Sequence, residues 1–355
     1  MLELSLENAE AHARSRGWLA PDENAKVTLL GGGVSNIVLK VTSAQQNFVI
    51  KQALPKLRVA MDWQARIDRI FIERDALKEL HAILPAGTVP AVLYEDPQNY
   101  LFAMTAAPDD AKNWKTELMA GRVEPWVAEE AGWMLGEIHR RFQADERVRA
   151  RFADSTNFIE LRADPYFVTV GRHHPDLKPI VDAEIKALLE TKWTLVHGDY
   201  SPKNILIRAD VAATEDRERD PSIRPRRGRP QPRLFLIDCE VAHLGHPAFD
   251  AAFCLNHFCL KSVHFAQRKN AYLELARHFW RTYTANFATP RFDELSQRTV
   301  MQLGLLQLAR VDGKSPAEYL TDSDKKEKVR RIGRMLLSKR PSRVEKAIDW
   351  IEVEQ

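Results

Sequence analysis

Two short stretches of this chain carry residue types suited to phosphoryl chemistry. Leu195-Val196-His197-Gly198-Asp199-Tyr200-Ser201-Pro202-Lys203-Asn204 offers a carboxylate and, five residues later, an amide; downstream, the apolar run Leu234-Phe235-Leu236-Ile237 ends on Asp238-Cys239-Glu240. A carboxylate at Asp199 can accept a hydroxyl proton. Asn204 can bind a cation through its amide oxygen, and Asp238 can hold Mg²⁺ between phosphates, neutralising charge on the transferring group. Together they suit transfer of a phosphoryl group from Mg²⁺·ATP to a hydroxyl. Glu240 is either a second metal-side acid or a cap for the turn. His197 invites a Ser/His/Asp triad with Ser201, but no nucleophile-elbow glycine pattern surrounds that serine. A histidine that holds the loop by hydrogen bonds is the better reading. Asp250, in Gly245-His246-Pro247-Ala248-Phe249-Asp250, is a helix N-terminal acid or a brace for the loop, and the brace is preferred.

A second group of candidates lies near the N-terminus. Leu30-Gly31-Gly32-Gly33-Val34-Ser35-Asn36 joins two strand-like runs. Missing side chains at Gly32 and Gly33, with Ser35 and Asn36 beyond, let backbone N–H groups approach a phosphate; a plain flexible hairpin turn is the alternative. The segment is not a P-loop, because no Gly-Lys-Ser/Thr follows, nor a Rossmann turn, because a strand follows rather than a helix. Lys51 ends the next strand. It is an edge gatekeeper or half of a Lys–Glu ion pair with Glu73 on the helix that follows. On a helical wheel Glu73 is the carboxylate nearest the apolar stripe, although Arg74 lies nearer the stripe's centre.

The elements that must position these residues follow from periodicity. Strand-like runs at 26–30, 37–41 and 47–51 precede a helical pattern through Trp63, Ile67, Ile70, Leu77 and Leu80, followed by strand candidates at 89–94 and 100–104. From Pro108 onward helical patterns dominate: 127–141, 182–189, 249–257, 271–283 and 299–308. Ser315-Pro316-Ala317-Glu318 has the form of a helix start, with an N-cap serine, Pro at the first position and Glu at the third. The expected fold is α+β and bilobal: a small antiparallel β N-lobe over 1–106 that binds nucleotide, and a larger, mainly helical C-lobe over 107–355 for catalysis and substrate.

Composition narrows the class. The 355 residues are 45% hydrophobic and 28% charged, with a formal net charge of +3, as in an ordinary globular protein. Three cysteines without framework spacing predict reduced thiols in a cytoplasmic protein. Cys254 and His257 sit in an apolar run, which favours packing over a shared metal. Early acids and no basic n-region exclude a secretory signal in Met1-Leu2-Glu3-Leu4-Ser5-Leu6-Glu7, and no apolar run reaches bilayer-spanning length. Arg208 to Arg233 carries eight Arg against five acids, with four prolines. It reads as a disordered insertion in a hairpin. Without interleaved aromatics it argues against nucleic-acid contact.

At this point the chain resembles the aminoglycoside phosphotransferase/choline kinase superfamily, which shares the protein-kinase-like fold. The resemblance runs from about Thr28 to Leu260 and is carried by His197-Gly198-Asp199 with Asn204, Ile237-Asp238-Cys239-Glu240, and Gly245 to Asp250. It implies Asp199 as catalytic base, Asn204 and Asp238 as Mg²⁺ ligands, Lys51 on the α/β-phosphates of ATP and paired with Glu73, adenine against the backbone near Met104 to Ala106, and Asp250 steadying the catalytic loop. Lys51-Gln52-Ala53-Leu54-Pro55 with Arg58 and Trp63 is similar to methylthioribose kinases, whereas the loop Tyr200 to Asn204 departs from theirs. The acceptor is thus a small-molecule hydroxyl, on a sugar or an amino alcohol, with methylthioribose a candidate. Arg162 and Asp164, and Arg310 and Asp312, are polar clusters that either face the acceptor or serve as caps and surface charge. The rival from another class is a non-catalytic nucleotide-binding adaptor, against which the intact Lys51, Asp199, Asn204 and Asp238 count. A protein substrate is disfavoured because no Asp-Phe-Gly or Ala-Pro-Glu appears.

Overall fold

A computed structural model describes residues 2–31, 35–55, 65–208 and 233–355. Gly32, Gly33, Arg58, Trp63 and insertion residues 209–232 lie outside the described residues. The chain forms two compact units, one of Met1–Ala111 with Arg208–Glu240, the other of Lys112–Ile207 with Val241–Gln355. The sequence reading placed everything after 106 in the second lobe, but the Asp238 segment folds with the first. Its strand Leu234–Leu236 is tied there by a bond from Leu236 N to Thr88 O of 2.8 Å.

The first unit is a five-stranded antiparallel sheet of order β1-β2-β3-β5-β4, with β1 Ala25–Leu29, β2 Asn36–Ser43, β3 Asn47–Ala53, β4 Val92–Asp96 and β5 Leu101–Thr105. β3 is central, and Lys51 pairs in register with Val38 of β2 and Phe102 of β5. That removes the edge-gatekeeper reading of Lys51. One sheet face buries Ile37, Leu39, Val41, Phe48 and Ile50 with Ala9 and Ala13 of helix α1, Ala9–Ser15, each large aliphatic residue contributing about 1.5–3 kcal/mol. Helix α2 runs Arg69–Ile83, starting later than the Trp63–Ile67 pattern predicts. Its buried stripe is Arg69, Ile70, Glu73, Ala76, Leu77 and Leu80. Arg69 and Glu73, four residues apart, therefore share a face.

The second unit is helical: α3 Pro125–Arg141, α4 Lys178–Glu190, α5 Ala248–His264, α6 Lys269–Phe287, α7 Phe292–Asp312, α8 Ser323–Lys339 and α9 Val344–Glu354. α3 and α6 approach closely because position 132 is glycine; a Cβ there would lie 2.4 Å from Phe279 O. A two-stranded ladder of β6 Thr194–Val196 and β7 His243–Gly245 supports residues 197–204. The helix start expected at Ser315 does not form. The Arg310 side chain donates to Ser315 O and Oγ, occupying the would-be cap, and α8 is capped instead by Asp322, which accepts from Asp324 N and Lys325 N. The three cysteines are free and buried. Among the described residues no helix is long and apolar enough to cross a membrane.

His243 lies behind the 197–204 loop, stacked on Phe158 at 4.4 Å with Nδ1 3.0 Å from Val241 O. Burial pushes its pKa from 6.5 down to about 4. The folded state holds it neutral, so its contribution is complete above pH 6.5 and is lost as pH falls toward 4, to a limit of about 3 kcal/mol. Urea midpoints measured from pH 7 to pH 4 should fall less steeply for His243→Phe than for the parent; parallel curves would remove His243 from the acid response.

Candidate functional site

In the first unit, Lys51 bridges two carboxylates. Its Nζ is 2.7 Å from Glu73 and 2.6 Å from Asp238 Oδ1. Glu73 is fully buried and Lys51 nearly so. Arg74, the wheel's competitor, turns outward to Asp75 and Glu95. Asp238 follows the buried strand Leu234–Leu236 and has φ +70°, a left-handed conformation that Asp tolerates better than most side chains.

Glu240 meets side chains from three other positions. Oε1 accepts from Ser35 Oγ at 2.8 Å, while Oε2 accepts from Asn36 Nδ2 at 2.8 Å and Arg69 Nε at 3.1 Å. Ser35 and Asn36, expected to face phosphate, thus meet a carboxylate. One oxygen from each of Glu73, Asp238 and Glu240 also lies within 4.8 Å of the others. Arg69 is the residue sequence reasoning missed. It is fully buried and donates further to Ser35 O, Leu54 O and Arg66 O. Its four-residue spacing from Glu73 on the buried stripe was the available signal.

Among the described residues, the carboxylates of Glu73, Asp238 and Glu240 gather around two cations, Lys51 and Arg69. Burial pushes Lys51 toward neutrality, but Asp238, Glu73 and Glu240 outweigh it and raise its pKa well above the usual lysine range. Burial raises Glu73 to about 7, with Asp238 and Glu240 adding to the rise and Lys51 opposing it. Hard carboxylate oxygens gathered this closely fit Mg²⁺. Met104 lies within β5, paired with Val49, whereas Ala106 lies past the strand's end. Ala106 lines a cavity of about 260 Å³ with Thr105, Val89, Ala91 and Phe235.

The second unit organises Asp199. Asp250, in the first turn of α5, accepts from His197 N at 2.7 Å and Gly198 N at 2.8 Å, and its Oδ2 lies 3.2 Å from His139 Nε2. Gly198 has φ +78°, and a Cβ there would sit 2.6 Å from Val241 O. His197 Nδ1 accepts from Asp199 N at 3.2 Å, and Tyr200 OH donates to Ala131 O of α3 at 2.7 Å. Asp199 Oδ2 then receives Asn204 Nδ2 at 2.8 Å, Arg162 Nη2 at 2.9 Å and Lys203 Nζ at 3.0 Å. Since the nitrogen of Asn204 is on Asp199, its oxygen is the atom to meet a cation. Arg162 lies in a π-helical segment, Ile159–Val168, and also donates to Gly198 O at 2.8 Å. His139 was missed; a lone histidine on the apolar face of α3 was its only signal.

The remaining candidates divide. Asp164 pairs with Lys314 at 2.6 Å, and Asp312 lies 2.8 Å from Arg330 and 2.9 Å from His174. Both carboxylates are engaged in ion pairs within the unit. Arg310, on α7, is buried against Tyr166 and Ser315. Cys254 and His257 form no metal cluster among the described residues.

The phosphotransferase enzyme family profile matches residues 26–214. That is more than half of the chain, which belongs to this family. Methylthioribose kinase of Escherichia coli O45:K1 is 31% identical over 262 residues, covering 64% of this chain and 60% of that protein. Methylthioribose kinase of Bacillus cereus G9842 is 27% identical over 225 residues, covering 56% of each. The chain thus spans somewhat more than half the length of these relatives. Among solved structures, choline kinase from Cryptosporidium parvum superposes with a TM-score of 0.55 at 12% identity, covering 98% of this chain and 100% of that one. The GDP complex of aminoglycoside 2′-phosphotransferase-IIIa gives 0.51 at 14%, covering 95% and 98%. The fold is the protein-kinase-like fold of these enzymes.

Replacing Arg69 by Met should strand the buried Glu240 charge and destabilise the first unit by about 3–5 kcal/mol. A chemical-denaturation midpoint equal to the parent's would show that the other partners of Glu240 suffice to hold its charge.

Proposed function

We propose that the chain is a Mg²⁺·ATP-dependent phosphotransferase acting on a hydroxyl of a small metabolite. The observation that carries this reading is the fixed Asp199, a carboxylate whose Oδ2 is oriented by Asn204, Lys203 and Arg162 on a loop anchored by Asp250. Asp199 takes the acceptor's proton as the hydroxyl oxygen bonds to the γ-phosphorus. The bond from that phosphorus to the β–γ bridging oxygen breaks, and ADP leaves. Lys51 binds the α/β-phosphates, and Ala106, beyond the end of β5, offers its backbone to adenine. Asp238 and Glu240 would offer carboxylate oxygens to Mg²⁺. When bound, the ion neutralises charge on the phosphates. Arg162 and Lys203 offset the Asp199 charge, so that residue contributes orientation as well as proton acceptance.

Within this class, a pentose acceptor such as methylthioribose is supported by the curated relatives and by Lys51-Gln52-Ala53-Leu54-Pro55. The adaptor reading has no comparable support, since Lys51, Asp199, Asn204 and Asp238 are all present. A cytoplasmic location accords with the three free thiols.

Acceptor-dependent ADP release should fall roughly 10²–10⁴-fold in Asp199→Ala, the usual contribution of a general base, while the urea midpoint stays close to the parent's. Turnover near the parent's would refute the base assignment. For Asp238→Ala, titration calorimetry should show weakened Mg²⁺·ATP binding and little change for ATP without metal; equal losses in both would point to phosphate contact instead.

A further inference from the structure

Among the described residues, the interior of the second unit next to Asp199 holds two buried basic side chains, Lys261 and Arg310, with no carboxylate at ion-pair distance. Lys261 of α5 is fully buried, yet its nearest polar contact is the carbonyl of His257 at 3.5 Å, with the Tyr319 ring 5.2 Å away. Among the described residues no carboxylate lies within ion-pair distance of Lys261 or of Arg310. Arg310, about nine-tenths buried, uses Nη1 on Ser315 and, at 3.5 Å, on Tyr166 OH, while its Nε has no hydrogen-bond partner. His257 Nδ1 and Tyr319 OH are also buried without partners. Lys115 is already taken by Glu318, 2.5 Å away.

Buried cations are ordinarily paired, and buried donors ordinarily bonded. Two of the former and several of the latter in one place mark a site completed by something else. The field there has an independent signature. Burial alone would raise the Tyr166 phenol, but Arg310 and Arg162, then Lys203, outweigh burial and Asp199 and bring its pKa down. Burial, then Lys115 and Arg310, pushes Lys261 down to about 7. Tyr166 joins this cluster to the catalytic loop, since Arg162 lies 5.9 Å from its ring centroid and 2.9 Å from Asp199.

We propose that the acceptor is an anionic metabolite, its carboxylate or phosphate group received by Arg310 in front of Lys261 and His257, with its hydroxyl at Asp199. This inference rests on the phosphotransferase reading for the hydroxyl, but not for the anion. It disfavours cationic amino alcohols and aminoglycosides, which the same field repels, and narrows the pentose reading to sugars that carry an acidic group.

The test uses the full chain and four probes: glycerate, glycerol 3-phosphate, glycerol and choline. Melting temperatures of the parent should rise with glycerate or glycerol 3-phosphate, whichever carries the matching anion, and not with glycerol or choline. Arg310→Gln should weaken that binding roughly 10–100-fold, as expected for a hydrogen bond to a charged group. Lys261→Met guards against misfolding, because removing a buried unpaired charge should raise the ligand-free melting temperature while shrinking the anion-induced shift. Equal shifts with glycerol or choline, no shift with either anion, or an undiminished shift in Lys261→Met would overturn the proposal. Steady-state ADP release separates it from the reading beneath it. Asp199-dependent turnover of neutral acceptors without any anion effect would leave the phosphotransferase standing and remove the anionic acceptor. An anion shift in a chain that never turns over would do the reverse.

Discussion

A single buried carboxylate organises the loop that carries Asp199. Asp250 is fully buried, and a charge in that position is tolerable only if its lone pairs are met. They are met by the N–H groups of His197 and Gly198 and by the ring of His139. Each donor belongs to a different constraint. The amides belong to the loop that follows β6, and one of them requires the left-handed backbone of Gly198. His139 stands on α3 and is itself fixed by Tyr283 OH of α6 at 2.9 Å. The helix pair that Gly132 brings into contact therefore reaches the loop through one imidazole. Asp199 lies one residue beyond that anchor, and its position follows from the anchor rather than from its own contacts alone.

The two units treat buried lysine in opposite ways. Lys51 stands among three carboxylates and is held more firmly protonated than a lysine in water. Lys261 stands among cations and aromatic rings and is pushed toward neutrality. Burial acts on both in the same direction; the neighbours decide the outcome. The first arrangement gathers carboxylates around its lysine, and the second, among the described residues, places no carboxylate at ion-pair distance from its lysine.

The residues legible in the sequence were those whose chemistry is local. Asp199 and Asn204 share one loop, Asp238 directly follows an apolar strand, and the strand order placed Lys51 and Glu73 on successive elements. Residues whose roles depend on distant partners were harder to read. Arg69 was passed over because its partner, Glu240, is 171 residues away in sequence. His257 and Lys261 lie in or beside a stretch read only as packing, and periodicity cannot show which part of a wholly buried helix meets polar groups from elsewhere. Ser315 misled for the same reason. Its sequence satisfies every local requirement of a helix cap, but the Arg310 guanidinium, arriving from α7, claims the oxygens the cap would use.

The left-handed backbone at Asp238 also limits how this protein can lose its chemistry. At φ +70° the side chains least strained are those of Gly, Asn and Asp. The first two are each a single base change from an aspartate codon, and both remove the negative charge. Glutamate, which would keep the charge, fits the backbone less well. The easiest replacements at this position are therefore ones the fold accepts and the chemistry does not. A descendant altered here would keep Lys51 paired with Glu73 and its backbone unstrained, a route by which the charge at this position can be lost while the strand and helix around it remain.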